Sequence, residues 1–134
     1  INILNQYMAL QLLRGEEYLT VFSPEQIDAL VLLFLTAHTY GHLIGGIFFG
    51  LHLIVLGYLL YRSSLFPAIL GGLVALAAIG YLTESFTFFL IPAYEPVAAT
   101  IVIVTAVVGE IALALYLVVK GVRTERPATQ EAVQ

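Results

Sequence analysis

Three long apolar runs, separated by short polar stretches, constrain the fold of this chain more than any other feature. Each run begins at a proline. The runs extend from Pro24 to about Tyr61, from Pro67 to Ile91 and from Pro96 to about Val119. Each run is longer than the ~20 residues that a helix needs to cross a bilayer. Only 10% of the residues are charged, against about 25% in soluble domains. The chain is therefore predicted to be an all-α transmembrane helical bundle with three spanning helices.

Local start and stop signals mark the ends of the predicted helices. Ser23 suits an N-cap, Pro24 the first helical position and Gln26 the third position of a capping box. Gly121 suits the position just after the third span. The first run exceeds one crossing, so we expect a single long helix, tilted or protruding, that crosses the membrane at about residues 44–61. A break at Gly45–Gly46 is the alternative.

The two ends of the chain are predicted to differ from the spanning part. Residues 1–22 are expected to be the end of an upstream helix, stopped by Gly15, followed by an extracytoplasmic loop. Residues 23–123 are expected to form the three-helix transmembrane domain, and the polar residues 124–134 a cytoplasmic tail. The first residue is Ile1 and the pattern of a signal peptide is missing, so we expect the chain to be part of something longer.

The distribution of charge predicts the orientation in the membrane. The basic residues follow the first and third runs, at Arg62, Lys120, Arg123 and Arg126. The opposite side is acidic apart from Arg14, with Glu16, Glu17, Glu25, Asp28 and Glu95. By the positive-inside bias, the loop at residues 61–66 and the C-terminus should face the cytoplasm.

Two ionisable residues are expected near the middle of the membrane. His52 precedes Arg62 by ten residues and Glu110 precedes Lys120 by ten, which places both ~15 Å from the cytoplasmic boundary. A lone carboxylate there costs about 2.5 kcal/mol or more. We therefore predict an intramembrane polar pair of His52 and Glu110. The pair is either a hydrogen bond that fixes helix register, worth about 0.6 to 2 kcal/mol, or a functional site.

A second polar layer is predicted closer to the outer interface. Glu84 lies 17 residues beyond Pro67, about 25 Å along its helix, where His42 or Tyr40 is a suitable partner and His38 lies higher. His38 and His42 have the i, i+4 spacing that can hold a metal, with Glu84 as a third ligand. The segment "HTYGH" lacks the glutamate of the metalloprotease motif, and no metal site is predicted.

Glycines around the histidines predict close helix packing. The three histidines share one arc of the first helix, and Gly41 and Gly45 fall in or close to that arc. Gly46 and Gly50 form a second small-x-x-x-small pair on a neighbouring face. We therefore expect the histidines to point into a helix bundle, with His52 the best buried.

Several classes of function are excluded or left open. The chain has no cysteine and a net charge of −4, which excludes thiolate chemistry and gives no basic stripe for nucleic acid. No motif pairs a nucleophile with a base or binds a nucleotide, so no catalytic residue is predicted and an enzyme is not the expectation. A haem or (bacterio)chlorophyll ring held by His52 stays open as an alternative.

Three segments, "FFGLHLIVLGYLLYRSSLFPAILG", "GYLTESF" and "GEIALALYLVVKGV", resemble a bacterial integral-membrane family, family 4386 of the domains of unknown function. The resemblance covers about residues 20–123 and includes His52, Glu84 and Glu110 in order. It implies a membrane-helix fold and a C-terminal portion of longer proteins. Because it brings no known site residues, the role remains to be inferred.

We expect an accessory or scaffold subunit that packs with other membrane helices in a larger bacterial membrane complex, with lipid and those helices as its partners. The alternative is a small transporter or a haem- or chlorophyll-binding subunit in which His52 and Glu110 act as a proton relay or a ligand pair.

Overall fold

The computed structural model describes residues 2–121, except for the side chain of Tyr18, and is all-α as predicted. Four α-helices follow one another, α1 at Ile3–Arg14, α2 at Pro24–Arg62, α3 at Ala68–Leu90 and α4 at Glu95–Lys120. Short 3-10 helices lie at Glu17–Val21 and Pro92–Tyr94, and no strand occurs in the described residues. The predicted tail and the basic residues Arg123 and Arg126 lie outside that range.

Within residues 2–121, three helical segments are long and apolar enough to cross a membrane, Pro24–Arg62, Ala68–Leu90 and Pro92–Lys120. The prediction of three spans is confirmed, and the chain is a multi-pass membrane protein. The long first run forms one α-helix of 39 residues, without the alternative break at Gly45–Gly46.

The predicted start of α2 is confirmed by a reciprocal capping box. The Ser23 backbone N–H donates to the Gln26 side-chain oxygen at 2.8 Å, and the Gln26 N–H donates to the Ser23 hydroxyl at 3.4 Å. Two N–H groups that the first turn leaves without helical partners are thereby satisfied. The chain therefore enters its longest helix at a position that the local sequence determines.

The chain packs as two compact units, residues 1–46 and residues 47–134. In the first unit, α1 ends at Gly15, whose φ of 68° and ψ of 44° give the left-handed conformation that glycine adopts at no steric cost. This confirms the predicted stop. The core of this unit combines α1, the first 3-10 helix and the start of α2, through Ala9, Leu12, Leu19 and Val31.

The second unit contains α2 from residue 47 onward, α3 and α4. Its core is formed by Leu53, Leu60, Val74, Ala77 and Ala78. Glycines let the backbones approach closely: a Cβ built on Gly71 would lie 2.5 Å from the Gly57 carbonyl oxygen, and one on Gly109 would lie 2.5 Å from the Leu73 oxygen. Because these glycines have no side chain, the helices can lie at this close spacing.

The glycines singled out in the sequence differ in what surrounds them. Gly41 faces the Asn2 side chain in the first unit, and a Cβ on Gly50 would lie 2.9 Å from the Leu82 side chain in the second. Gly45 has nothing within 4 Å of such a Cβ, so it makes no close contact of its own. Gly46 belongs to the first unit, and its role in packing stays a prediction.

Candidate functional site

A tyrosine and a glutamate from neighbouring helices meet inside the second unit. The Tyr81 hydroxyl of α3 forms a hydrogen bond with the Glu110 carboxyl of α4, and the Glu84 carboxyl also interacts electrostatically with that hydroxyl. One oxygen of Glu110, Oε1, is buried and has no hydrogen-bond partner among the described residues. The cluster therefore combines a proton donor with a carboxyl oxygen that water does not reach.

Close helix packing positions this pair. A Cβ on Gly80 would collide with the Thr105 hydroxyl, and one on Gly109 would lie 3.0 Å from the Ala77 Cβ, so α3 and α4 are in near-backbone contact at both points. Tyr81 and Glu110 directly follow these two glycines. Side chains on a helix lean toward its N-terminus. In an antiparallel pair of helices, those two side chains consequently lean toward each other.

Aromatic contacts extend the cluster to His52. The Phe49 ring packs edge-on against Tyr81 with centroids 4.9 Å apart and an interplanar angle of 82°. The His52 ring also stacks on Phe49, with centroids 6.0 Å apart and an interplanar angle of 29°. Phe49 and His52 are three residues apart on α2 and therefore neighbours on its surface. Ring packing thus connects them to the pair of Tyr81 and Glu110.

The two members of the predicted mid-membrane pair have different neighbours in the structure. Glu110 bonds to Tyr81, whereas His52 contacts Phe49, and no hydrogen bond or ion pair among the described residues joins His52 to Glu110. Both lie at the same cluster, with Phe49 and Tyr81 between them. Depth along a helix does not specify which faces of α3 and α4 meet, so it does not predict Tyr81 as the partner of Glu110.

The expected burial of His52 is wrong for this chain, since the side chain is exposed on the second unit. The face of α2 that contacts α3 is set by the stripe of Gly50, Leu53, Gly57 and Leu60. At 100° per residue, His52 lies roughly 120° around the helix from the centre of that stripe. The prediction had taken its direction from Gly41 and Gly45, which lie in the first unit.

Of the three histidines, His38 has the most polar partners. Its Nδ1 lies 3.2 Å from the Asn2 carbonyl oxygen, and its Nε2 lies 3.1 Å from the Gln6 side-chain nitrogen. A carbonyl oxygen only accepts, so Nδ1 carries the hydrogen and Nε2 accepts from the amide of Gln6. Asn2 also donates to the His38 carbonyl at 2.9 Å. Both ring nitrogens are thus engaged in fastening α1 to α2.

Asn2 and Gln6 are not among the site residues predicted from the sequence, because residues 1–14 are expected there to be only the end of an upstream helix. The signal was nevertheless present: Asn2, Asn5 and Gln6 follow helical spacing on one face of an otherwise apolar segment. Asn5 donates to the Asn2 side-chain oxygen at 3.1 Å. A polar face on α1 predicts a polar partner on the helix that it packs against.

The rest of the predicted outer layer is divided between the units. Tyr40 and His42 are exposed in the first unit, and Glu84 is half-buried in the second. Their grouping in one layer stays a prediction. Among residues 2–121, no group of three or more histidine, aspartate or glutamate side chains is arranged to hold a metal ion.

Comparison with known proteins identifies the family. The family described as "Domain of unknown function (DUF4386)" matches residues 1–121, so the chain belongs to that family. An uncharacterized protein of the archaeon Archaeoglobus fulgidus is 38% identical over 78 residues, which cover 58% of this chain and 44% of that protein. The match thus spans less than half the length of this relative. No solved structure gives a significant match.

Proposed function

We propose that this member of the DUF4386 family is an accessory or scaffold subunit that packs with other membrane helices in a larger bacterial assembly. The observation that carries the proposal is the narrow buried stripe of α4, which consists of Ala98, Val102 and Gly109. Its other faces expose large apolar side chains in several directions, at Val97, Ile101, Ile103, Val104, Val107, Val108, Ile111 and Leu115. Apolar faces of this extent suit lipid or neighbouring helices.

The greater length of the archaeal relative gives a further reason to favour neighbouring helices. The matched region is 44% of that protein, so additional chain is available there to pack against the same surface. Placement in a bacterial inner membrane, with the C-terminus in the cytoplasm, is part of the proposal. It is supported by the exposed basic residues Arg62 and Lys120 at the ends of α2 and α4.

Site-specific photo-crosslinking in intact membranes tests the scaffold role. A photoreactive amino acid at the exposed position Val107 should give a discrete protein adduct, whereas the same group at the buried position Val102 should react within the chain. Mass spectrometry of the adduct then identifies the neighbour. If Val107 gives only lipid adducts while the protein is intact, the accessory role is contradicted.

A second candidate, proton transfer within the membrane, is favoured by the buried Glu110 Oε1 that lacks a hydrogen-bond partner. A buried carboxyl oxygen without a hydrogen-bond donor is costly, and carboxyl groups inside membrane helices are typical of proton relays. The Tyr81 hydroxyl is placed to pass a proton to or from this carboxyl. The alternative is a purely structural hydrogen bond that fixes the register of α3 and α4.

Proton flux into liposomes containing the purified full chain distinguishes a proton relay from a purely structural hydrogen bond between Tyr81 and Glu110. Under an imposed pH gradient, Glu110→Gln should abolish a flux carried by this site and Tyr81→Phe should reduce it, since each removes a proton-exchanging group. Glu25→Gln is the matched control, because that carboxyl is exposed at the start of α2 and outside the cluster. A wild-type flux no greater than that of empty liposomes would exclude the relay.

The cofactor alternative rests on the exposed imidazole of His52, which stacks on the ring of Phe49. A haem or chlorophyll ring bound there would give an absorption band in protein purified from its native membrane. The band should disappear in His52→Ala and persist in His42→Ala, which removes another exposed histidine. A colourless native preparation would exclude this alternative.

A further inference from the structure

An apolar groove runs along the outside of the contact between α2 and α3 in the second unit. Its volume is about 280 Å³, and its lining includes Ile54, Gly57, Tyr58, Tyr61, Gly72 and Ala75. The floor consists of glycine and alanine because the two backbones meet there, and the larger side chains of α2 form a wall. A Cβ on Gly72 would meet nothing within 4 Å, so the groove is open above this residue.

The groove leads toward the guanidinium group of Arg62 at the end of α2. Ile54, Tyr58, Tyr61 and Arg62 follow the i, i+4, i+7, i+8 spacing that puts residues on one helix face. Arg62 is exposed, and no described residue forms a hydrogen bond or an ion pair with it. From Ile54 to Arg62 the helix rises about 12 Å, close to half of the ~30 Å hydrocarbon core.

We propose that this groove binds one anionic phospholipid, with an acyl chain against the glycine floor and the headgroup phosphate at Arg62. An apolar groove that spans about one leaflet fits a single acyl chain. A guanidinium group forms charge-assisted hydrogen bonds with phosphate oxygens. Tyr58 and Tyr61 are amphipathic rings of the kind that lie at the level of the headgroups. The site is independent of the role proposed above.

Electron spin resonance with phosphatidylglycerol that carries a spin label on its acyl chain tests the site. The purified full chain is placed in phosphatidylcholine bilayers, and the motionally restricted fraction of the label is measured. Arg62→Gln should lower the preference for labelled phosphatidylglycerol over labelled phosphatidylcholine by about fivefold, which corresponds to the ~1 kcal/mol that one Lys or Arg contributes beside anionic lipid. Lys120→Gln, a basic residue at the end of α4, is the charge control and should leave it unchanged.

The acyl part of the proposal has its own variant. Gly72→Leu places a large side chain in the groove, where a Cβ meets nothing within 4 Å, so the restricted fraction should fall for both lipids. Ala114→Leu adds a leucine at an exposed position of α4 and should leave that fraction intact. Retention of binding by Gly72→Leu, or equal losses in Arg62→Gln and Lys120→Gln, would overturn the proposal.

A competing occupant is a helix from a second copy of this chain. Because the sequence contains no cysteine, Gly72→Cys introduces a single thiol at the floor of the groove. We expect this thiol to react with a lipid-soluble maleimide and to give no disulfide-linked dimer under mild oxidation. A dimer formed in high yield would assign the groove to a second copy and refute lipid binding.

Discussion

Two adjacent glycines at the start of α3 should respond in opposite ways to the same substitution. A Cβ on Gly71 would lie 2.5 Å from the Gly57 carbonyl oxygen, 2.5 Å from the Tyr61 nitrogen and 2.8 Å from its Cα. These are backbone atoms, so they cannot turn aside as a flexible side chain does. Gly72 has nothing within 4 Å of such a Cβ. Gly71→Ala therefore has to separate α2 from α3, whereas Gly72→Ala does not.

The comparison of these neighbours isolates the packing cost. Both substitutions gain the same helix propensity of about 0.8 to 1.0 kcal/mol, which cancels between them. Forcing a methyl group into a close-packed contact costs about 1 to 3 kcal/mol. The free energy of unfolding of Gly71→Ala should thus be about 1 to 3 kcal/mol below that of Gly72→Ala.

Reversible unfolding in mixed micelles with a rising fraction of sodium dodecyl sulfate measures this difference, with helicity as the signal and the wild-type protein as reference. Gly72→Ala should be at least as stable as the wild type. Equal midpoints for the two variants, or a higher midpoint for Gly71→Ala, would show that α2 and α3 do not approach each other at this point.

Three further substitutions test the first unit in the same unfolding assay. Gly15→Ala should lower the free energy of unfolding by about 1 to 2 kcal/mol, because a Cβ is strained at a φ of 68°; a neutral result would place the end of α1 elsewhere. Ser23→Ala should cost about 1 kcal/mol, since the Gln26 N–H loses the hydroxyl acceptor and keeps only the Ser23 carbonyl oxygen at 3.0 Å, while Ser23→Asp should retain the cap. Gln6→Leu and His38→Phe should be non-additive by about 0.5 to 1.5 kcal/mol if their hydrogen bond forms, and additive otherwise.

The elements of the fold were predictable because their causes are local. The apolar length of each run determines that it spans, and the capping box of Ser23 and Gln26 determines where α2 begins. Gly15 ends α1 for an equally local reason, since a left-handed residue is needed there. The division of packing between residues 46 and 47 was not predictable in this way, because it falls inside one uninterrupted helix and no break in the sequence marks it.

The candidate site was only partly predictable from the sequence. The position of a residue along its helix can be counted, but the direction in which its side chain points depends on how the helix is rotated against its neighbours. Counting from the basic ends placed Glu110 inside the membrane, but its partner depends on which faces of α3 and α4 meet. Those faces are chosen by Gly80 and Gly109, each of which contacts the other helix. The residues that follow them, Tyr81 and Glu110, are joined by a hydrogen bond as a result. In this chain the two polar residues that directly follow the packing glycines form the pair, whereas His52, at the same predicted depth as Glu110, contacts Phe49.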